Sequence, residues 1–191
     1  MDHLREELLA TDTNTGSVIS SAVAILHNAV ASGKKSSSGE SSGSGSSRKT
    51  VDVRAELKAA GVLNLVTDSL SQLQYLSMGG GSSGNVALSV DDVNAFAALQ
   101  DLLAEMCSTE QQEGTAASGS DSKAANESTA KDILASGAIE QVNVLMRHNA
   151  FASSPTCALA TSSLLGALCA ADASSAALLK KMGCDQTLLQ V

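Results

Sequence analysis

The 191-residue chain contains no tryptophan, one tyrosine, two phenylalanines and one proline. Without aromatic bulk, any core must be built from Leu, Val, Ile, Ala and Met. Runs of β-branched strand formers are scarce too, so the composition favours helices. Basic residues are also in short supply, with 12 Lys and Arg against 20 Asp and Glu and a net charge of −8. A general nucleic-acid binder needs a basic face, and this balance argues against one. No apolar run reaches the ~18 residues that cross a bilayer, so no membrane partner is expected. The opening MDHLREELLA lacks a basic region followed by an apolar stretch, and is not read as a signal peptide.

The four cysteines (Cys107, Cys157, Cys169 and Cys184) form no CxxC pair. No zinc spacing links them to His3, His27 or His148. Three lie inside apolar helical patterns, as reduced and buried cysteines do in a cytoplasmic or nuclear protein.

Two stretches are low in complexity: 34–50, KKSSSGESSGSGSSRKT, and 108–126, STEQQEGTAASGSDSKAAN. Neither spaces apolar residues to fold onto a core, so both are expected to be flexible insertions. A shorter polar stretch, GGGSSGNVALS, occupies 79–89. The text between them has helical period. Val18, Ile19, Ala22, Ile25, Leu26, Ala29 and Val30 form one stripe, and Val93, Phe96, Leu99, Leu103 and Met106 form another. Ser89 with Asp92 fits a capping box. The serines before Pro155 fit a cap with proline in the first turn of a helix over 153–169. Shorter helices are expected at 52–60, 62–77, 128–136, 138–149, 173–182 and from 184 onward.

One phrase recurs. LKAAGVLNLV (57–66), ILASGAIEQV (133–142) and LKKMGCDQTL (179–188) each place a glycine between two apolar runs. A glycine after a short helix takes positive φ, ends that helix and turns the chain into the next. Gly61, Gly137 and Gly183 are therefore expected at equivalent corners. Gly137 and Gly183 are 46 positions apart, within the period of about 40–47 for armadillo or HEAT units. Gly61 and Gly137 are 76 apart, and the surplus of 30 equals the combined length of the stretches 79–89 and 108–126.

With these segments the sequence resembles the armadillo-repeat family, with HEAT repeats as the nearest rival. Ala60-Gly-Val-Leu-Asn-Leu-Val66 and Ser136-Gly-Ala-Ile-Glu-Gln-Val142 are similar to the opening of that family's second helix. Ala22-Val-Ala-Ile-Leu-His-Asn28 is similar to its third. The resemblance implies an all-α, right-handed superhelix of three to four units. A partial unit spans 2–33, an insertion 34–50, full units 51–107 and 127–171 with an insertion at 108–126 between them, and a further unit starts at 172–191. The chain ends in Thr187-Leu-Leu-Gln-Val191, with apolar residues ready for a neighbour. It is therefore expected to be a fragment of a longer solenoid, or to self-associate through its open C-terminal end.

Little in the sequence points to catalysis. Gly79-Gly-Gly-Ser-Ser-Gly84 matches GxGxxG but follows a helical pattern, whereas the dinucleotide fingerprint follows a strand. Lys34-Lys35 and Arg48-Lys49 flank a Ser/Gly spacer and read as charged linker ends. There is no Walker loop, no HExxH and no signature of a Ser/His/Asp arrangement, so no enzyme, cofactor or metal is expected. His27 and His148 fall in the later turns of expected helices, as surface or capping residues.

The resemblance implies instead a protein-binding groove lined by third helices. Its asparagine position falls on Asn28, Asp101 and Gly166, and its tryptophan position on Ala24, Ala97 and Ser162. Only Asn28 keeps the pattern, and Asn28 and Asp101 are the candidate contacts. The expected function is a non-catalytic interaction scaffold for protein partners. The alternatives are an importin-like receptor for basic peptides and the regulatory arm of an enzyme whose catalytic domain lies outside this chain.

Overall fold

The computed structural model describes residues 18, 19, 21–26, 28, 53–79, 88–108 and 119–189. All the regular structure among them is helical, with no strand. After a helical stretch within 18–28 come α1 (Val53–Ala59), α2 (Val62–Ser77), α3 (Val90–Cys107), α4 (Gly119–Ala135) and α5 (Ala138–Leu145). The four-residue α6 (Asn149–Ala152), α7 (Pro155–Ala171), α8 (Ser175–Lys181) and α9 (Cys184–Leu189) follow.

The three corner glycines adopt nearly one conformation, with φ of 79°, 81° and 78° at Gly61, Gly137 and Gly183. Their hydrogen bonds repeat as well. Ala60, Ser136 and Met182 each donate a backbone N–H to the carbonyl four residues back, on Glu56, Asp132 and Leu178. Each glycine carbonyl accepts from the residue four ahead: Leu65, Gln141 and Thr187. The sequence phrase therefore encodes a single bend, used three times. Nothing lies within 4 Å of a Cβ built on Gly61, so only backbone strain opposes a side chain there. Gly61→Ala should cost about 1 kcal/mol of stability. Gly166 also has open space around its Cβ position, but it lies inside helix α7 without positive φ. Gly166→Ala should therefore stabilise by about 0.5–1 kcal/mol. Urea melts of the two variants should shift in opposite directions.

The most extensive packing joins α3 to α7, and the next joins α2 to α5. Between α3 and α7, Thr161 donates its hydroxyl to Gln100 Oε1 at 2.6 Å, with both residues buried. The Cys157 thiol lies 3.5 Å from the Val93 carbonyl. Between α2 and α5, Gln141 donates to Ser71 Oγ at 2.9 Å. Lys58 of α1 pairs with Asp132 of α4 and donates to Ser128 Oγ at 3.3 Å. One core runs through all of this, from Val23 through Leu70, Leu103 and Ile139 to Leu179 and Cys184.

The expected caps are present. Ser89 and Asp92 form a reciprocal capping box, and Ser154 caps α7 with Pro155 in its first turn. Two boundaries differ from expectation. Residues 108–126 are not all insertion, because α4 begins at Gly119 and Asn126 is buried. Alanines at 124, 125 and 130 are strong helix formers, and Lys131 pairs with Glu127 one turn away. Residues 119–126 of that stretch therefore belong to helix α4. The helix expected over 138–149 is instead split into α5 and α6. His148, expected late in that helix, is the N-cap of α6, its Nδ1 accepting from the Ala150 N–H at 3.3 Å. Residues 34–50 and 80–87 and His27 lie outside the described residues.

Asp172, in the turn between α7 and α8, accepts the Ser174 hydroxyl at 2.6 Å, the Ser174 N–H at 3.0 Å and the Ser175 hydroxyl at 3.2 Å. The Ser174 bonds come first in holding its carboxyl below the ordinary carboxylate range. A carboxyl depressed on folding contributes stability above that range and loses it as pH falls through it. Asp172→Ala should therefore melt below the wild type at pH 7, with the gap closing as acid protonates the carboxyl in both folded and unfolded chains.

Candidate protein-interaction face

Helices α3 and α7 bury one side against each other and leave another side in solvent. On α3 the buried set includes Phe96, Leu99, Leu103 and Met106, and the exposed positions include Val90, Asn94 and Asp101. On α7, Cys157, Ala160, Thr161, Leu164 and Leu168 are buried, while Leu159, Ser162, Gly166 and Ala170 are exposed. In the stretch 18–28, Val23 faces the core and Val18, Ile25 and Asn28 face out.

Asn28 and Asp101 thus both lie on solvent-facing sides of helices that share one core. Gly166 occupies the corresponding exposed position on α7. Of the tryptophan positions the resemblance assigns, Ala24 and Ser162 are exposed but Ala97 is buried at 3%. A large side chain at 97 would displace core packing, so the aromatic ladder is absent in residue type and, at Ala97, also blocked by geometry.

Two features of this face escaped periodicity. Leu159 is 73% exposed although it lies in an apolar run, and Val90 is 76% exposed. The signal for Leu159 was its offset from the stripe 157, 160, 161, 164 and 168. Charge sorting is the second feature. Helix α3 carries Asp91, Asp92, Asp101 and Glu105 with no Lys or Arg, and α7 and residues 18–28 carry no Asp, Glu, Lys or Arg. The Lys and Arg residues of the described helices are Arg54, Lys58, Lys123, Lys131, Lys180 and Lys181, all on α1, α4 or α8. Among the described residues, α3 and α7 hold no Lys or Arg, and Arg147 in the turn after α5 is the one Lys or Arg outside the helices.

Cys107, Cys157 and Cys184 are buried and Cys169 is exposed. Burial pushes the Cys157 thiol up, and burial followed by the negative charges of Glu140 and Asp185 does the same at Cys184. Neither is prepared as a nucleophile, which requires a lowered pKa. Among the described residues no three His, Cys, Asp or Glu side chains group as metal ligands, and no helix is long and apolar enough to cross a membrane. No family model, curated protein or solved structure matches the chain.

Proposed function

We propose that the chain is an armadillo-like solenoid acting as a non-catalytic protein-interaction scaffold, with α3, α7 and residues 18–28 as its working face. In this reading α1–α2–α3 and α4–α5–α7 are successive units, α8–α9 open another, and residues 18–28 are the third helix of the unit before. The observation that carries it is the pairing of like with like. First helix meets first helix through Lys58 and Asp132, second meets second through Gln141 and Ser71, and third meets third through Thr161 and Gln100. Units that rest only on their neighbours expose a continuous surface formed by one helix from each, which suits an extended partner.

The test is a double variant, Asn28→Ala with Asp101→Ala, compared with wild type in captures followed by direct binding to each recovered protein. Both sites are exposed, so the fold should stand while partner binding weakens by about tenfold or more. Unchanged binding to every partner would remove this face from the account.

A second reading has one observation in its favour. The face bears acids and no base, which suits a Lys- or Arg-rich segment. Titration of a fluorescent basic peptide should then show affinity that falls steeply with salt, and salt-independent binding would argue for apolar docking at Leu159 and Val90.

A further inference from the structure

We infer that Gln100 and Thr161 are positioning residues, a buried polar pair that fixes how far α3 lies along α7 and so sets the spacing of the exposed positions on the two helices. The consequence for binding rests on the reading of α3 and α7 as one working face. Gln100 has no exposed surface, Thr161 is 3% exposed, and 61 positions separate them in the sequence. The Thr161 hydroxyl lies 2.6 Å from Gln100 Oε1 on the other helix and 2.8 Å from the Cys157 carbonyl on its own. Gln100 Nε2 donates to the Phe96 carbonyl at 3.4 Å. The pair is satisfied, and its shortest bond is the one that crosses between helices.

The surroundings supply no comparable constraint. Phe96, Leu99 and Leu103 on α3 meet a face of α7 that includes Cys157, Leu164 and Leu168, all buried. Apolar burial is non-directional, and these residues recur at three- and four-residue steps. Sliding one helix by a turn of about 5.4 Å therefore sets apolar against apolar again. Helix α7 has no charged residue, so no ion pair with α3 can set the register. The Cys157 thiol, 3.5 Å from the Val93 carbonyl, is a weak donor. Gln100 is what a slide disturbs. One turn from Thr161 stand Cys157, Ala158, Leu164 and Leu165, and none offers a hydroxyl or an amide. A buried acceptor stranded in this way disfavours the shifted registers by roughly ten- to a hundredfold. The native register alone then sets Asp101 on α3 against Ser162 and Gly166 on α7, a spacing that a partner spanning both helices would read.

Spin labels at Asn94→Cys and Ala170→Cys, both exposed and far apart along their helices, report the register by pulsed electron resonance in a Cys169→Ser background. The parent chain should give one narrow distance. Gln100→Leu with Thr161→Val removes both polar partners and should keep the helical circular dichroism and a melting point near or above the parent's. It should nevertheless show a second distance, displaced by about 5 Å. Thr161→Ser keeps the hydroxyl and should keep the single distance, a rescue that a purely space-filling role for Thr161 would not give. Gln100→Met with Thr161→Ala is the second pair should the first lose its helical signal. A folded double variant with one distance at the parent's value would overturn the inference and leave the register to apolar packing such as Phe96 on Phe151. Loss of the fold in both pairs would overturn it too, because a pair that only sets register is replaceable by apolar residues. The Asn28→Ala, Asp101→Ala captures test the working face separately and do not depend on this result.

Discussion

Phe151→Ala should remove about 3–5 kcal/mol from the unfolding free energy, the largest loss expected from a single substitution in this chain. Phe151 lies on the short α6 with no exposed surface, and its ring centroid is 4.7 Å from that of the equally buried Phe96 on α3. The His148 ring stands edge-on to it at 5.9 Å. Truncation loses the transfer free energy of the ring and leaves a cavity between α3 and α6. It also forfeits the ring–ring term of about 0.5–1.5 kcal/mol. A domain stable by about 5–15 kcal/mol would surrender a large fraction of its margin. Denaturant melts should show the midpoint falling with little change in slope. Leu159→Ala, at a site 73% exposed, should cost no more than about 0.5 kcal/mol. A Phe151→Ala loss below 1 kcal/mol would mean that α6 is not wedged into the core.

Asn143→Ala should loosen the C-terminal end rather than the whole molecule. The Asn143 amide donates to the Met182 carbonyl at 2.9 Å, and its oxygen accepts the Thr187 hydroxyl. Both partners belong to the Gly183 corner, and α8 and α9 on either side span only 7 and 6 residues. Helices that short have little stability of their own and depend on what they are tied to. Alanine leaves a carbonyl and a hydroxyl poorly paired in a dry site, at about 1–3 kcal/mol. Local opening then becomes easier, so amide hydrogen exchange in α8 and α9 should accelerate by about one to two powers of ten. Exchange in α3 and α7 should change far less. If α8 and α9 kept wild-type protection, Asn143 would not be what ties this corner to α5.

These two residues also mark where reading the sequence stops working. The corners were legible because only glycine adopts φ near 80° without strain, and it recurs in the same apolar phrase. The Ser89–Asp92 box and the Ser154–Pro155 start were legible because caps depend on neighbours three residues apart. Asn143, Gln100 and Asn126 were not, since an Asn or Gln on a helix reads as surface until a distant helix covers it. The start of α4 was missed because Ser, Gly and Asn at 108–126 outweighed the alanines within the same stretch. On the candidate face, the sequence marked the positions of Asn28 and Asp101, and both are exposed. It did not reveal Leu159 as a surface residue, because an apolar run hides which member is turned outward. Charge sorting was in the letters from the start, but it acquired meaning only when α3 and α7 were found side by side.

The proposed stacking of units along one axis has a direct test. Asn64, Glu140 and Gln186 each lie three residues after a corner glycine, and all three are exposed. Cysteines at these positions, two at a time in a Cys169→Ser background, give three spin-label distances by pulsed electron resonance. Stacked units separate neighbouring second helices by about 8–10 Å. The 64–140 and 140–186 distances should therefore match, and 64–186 should be close to their sum. Three comparable distances would describe a closed bundle and contradict the solenoid.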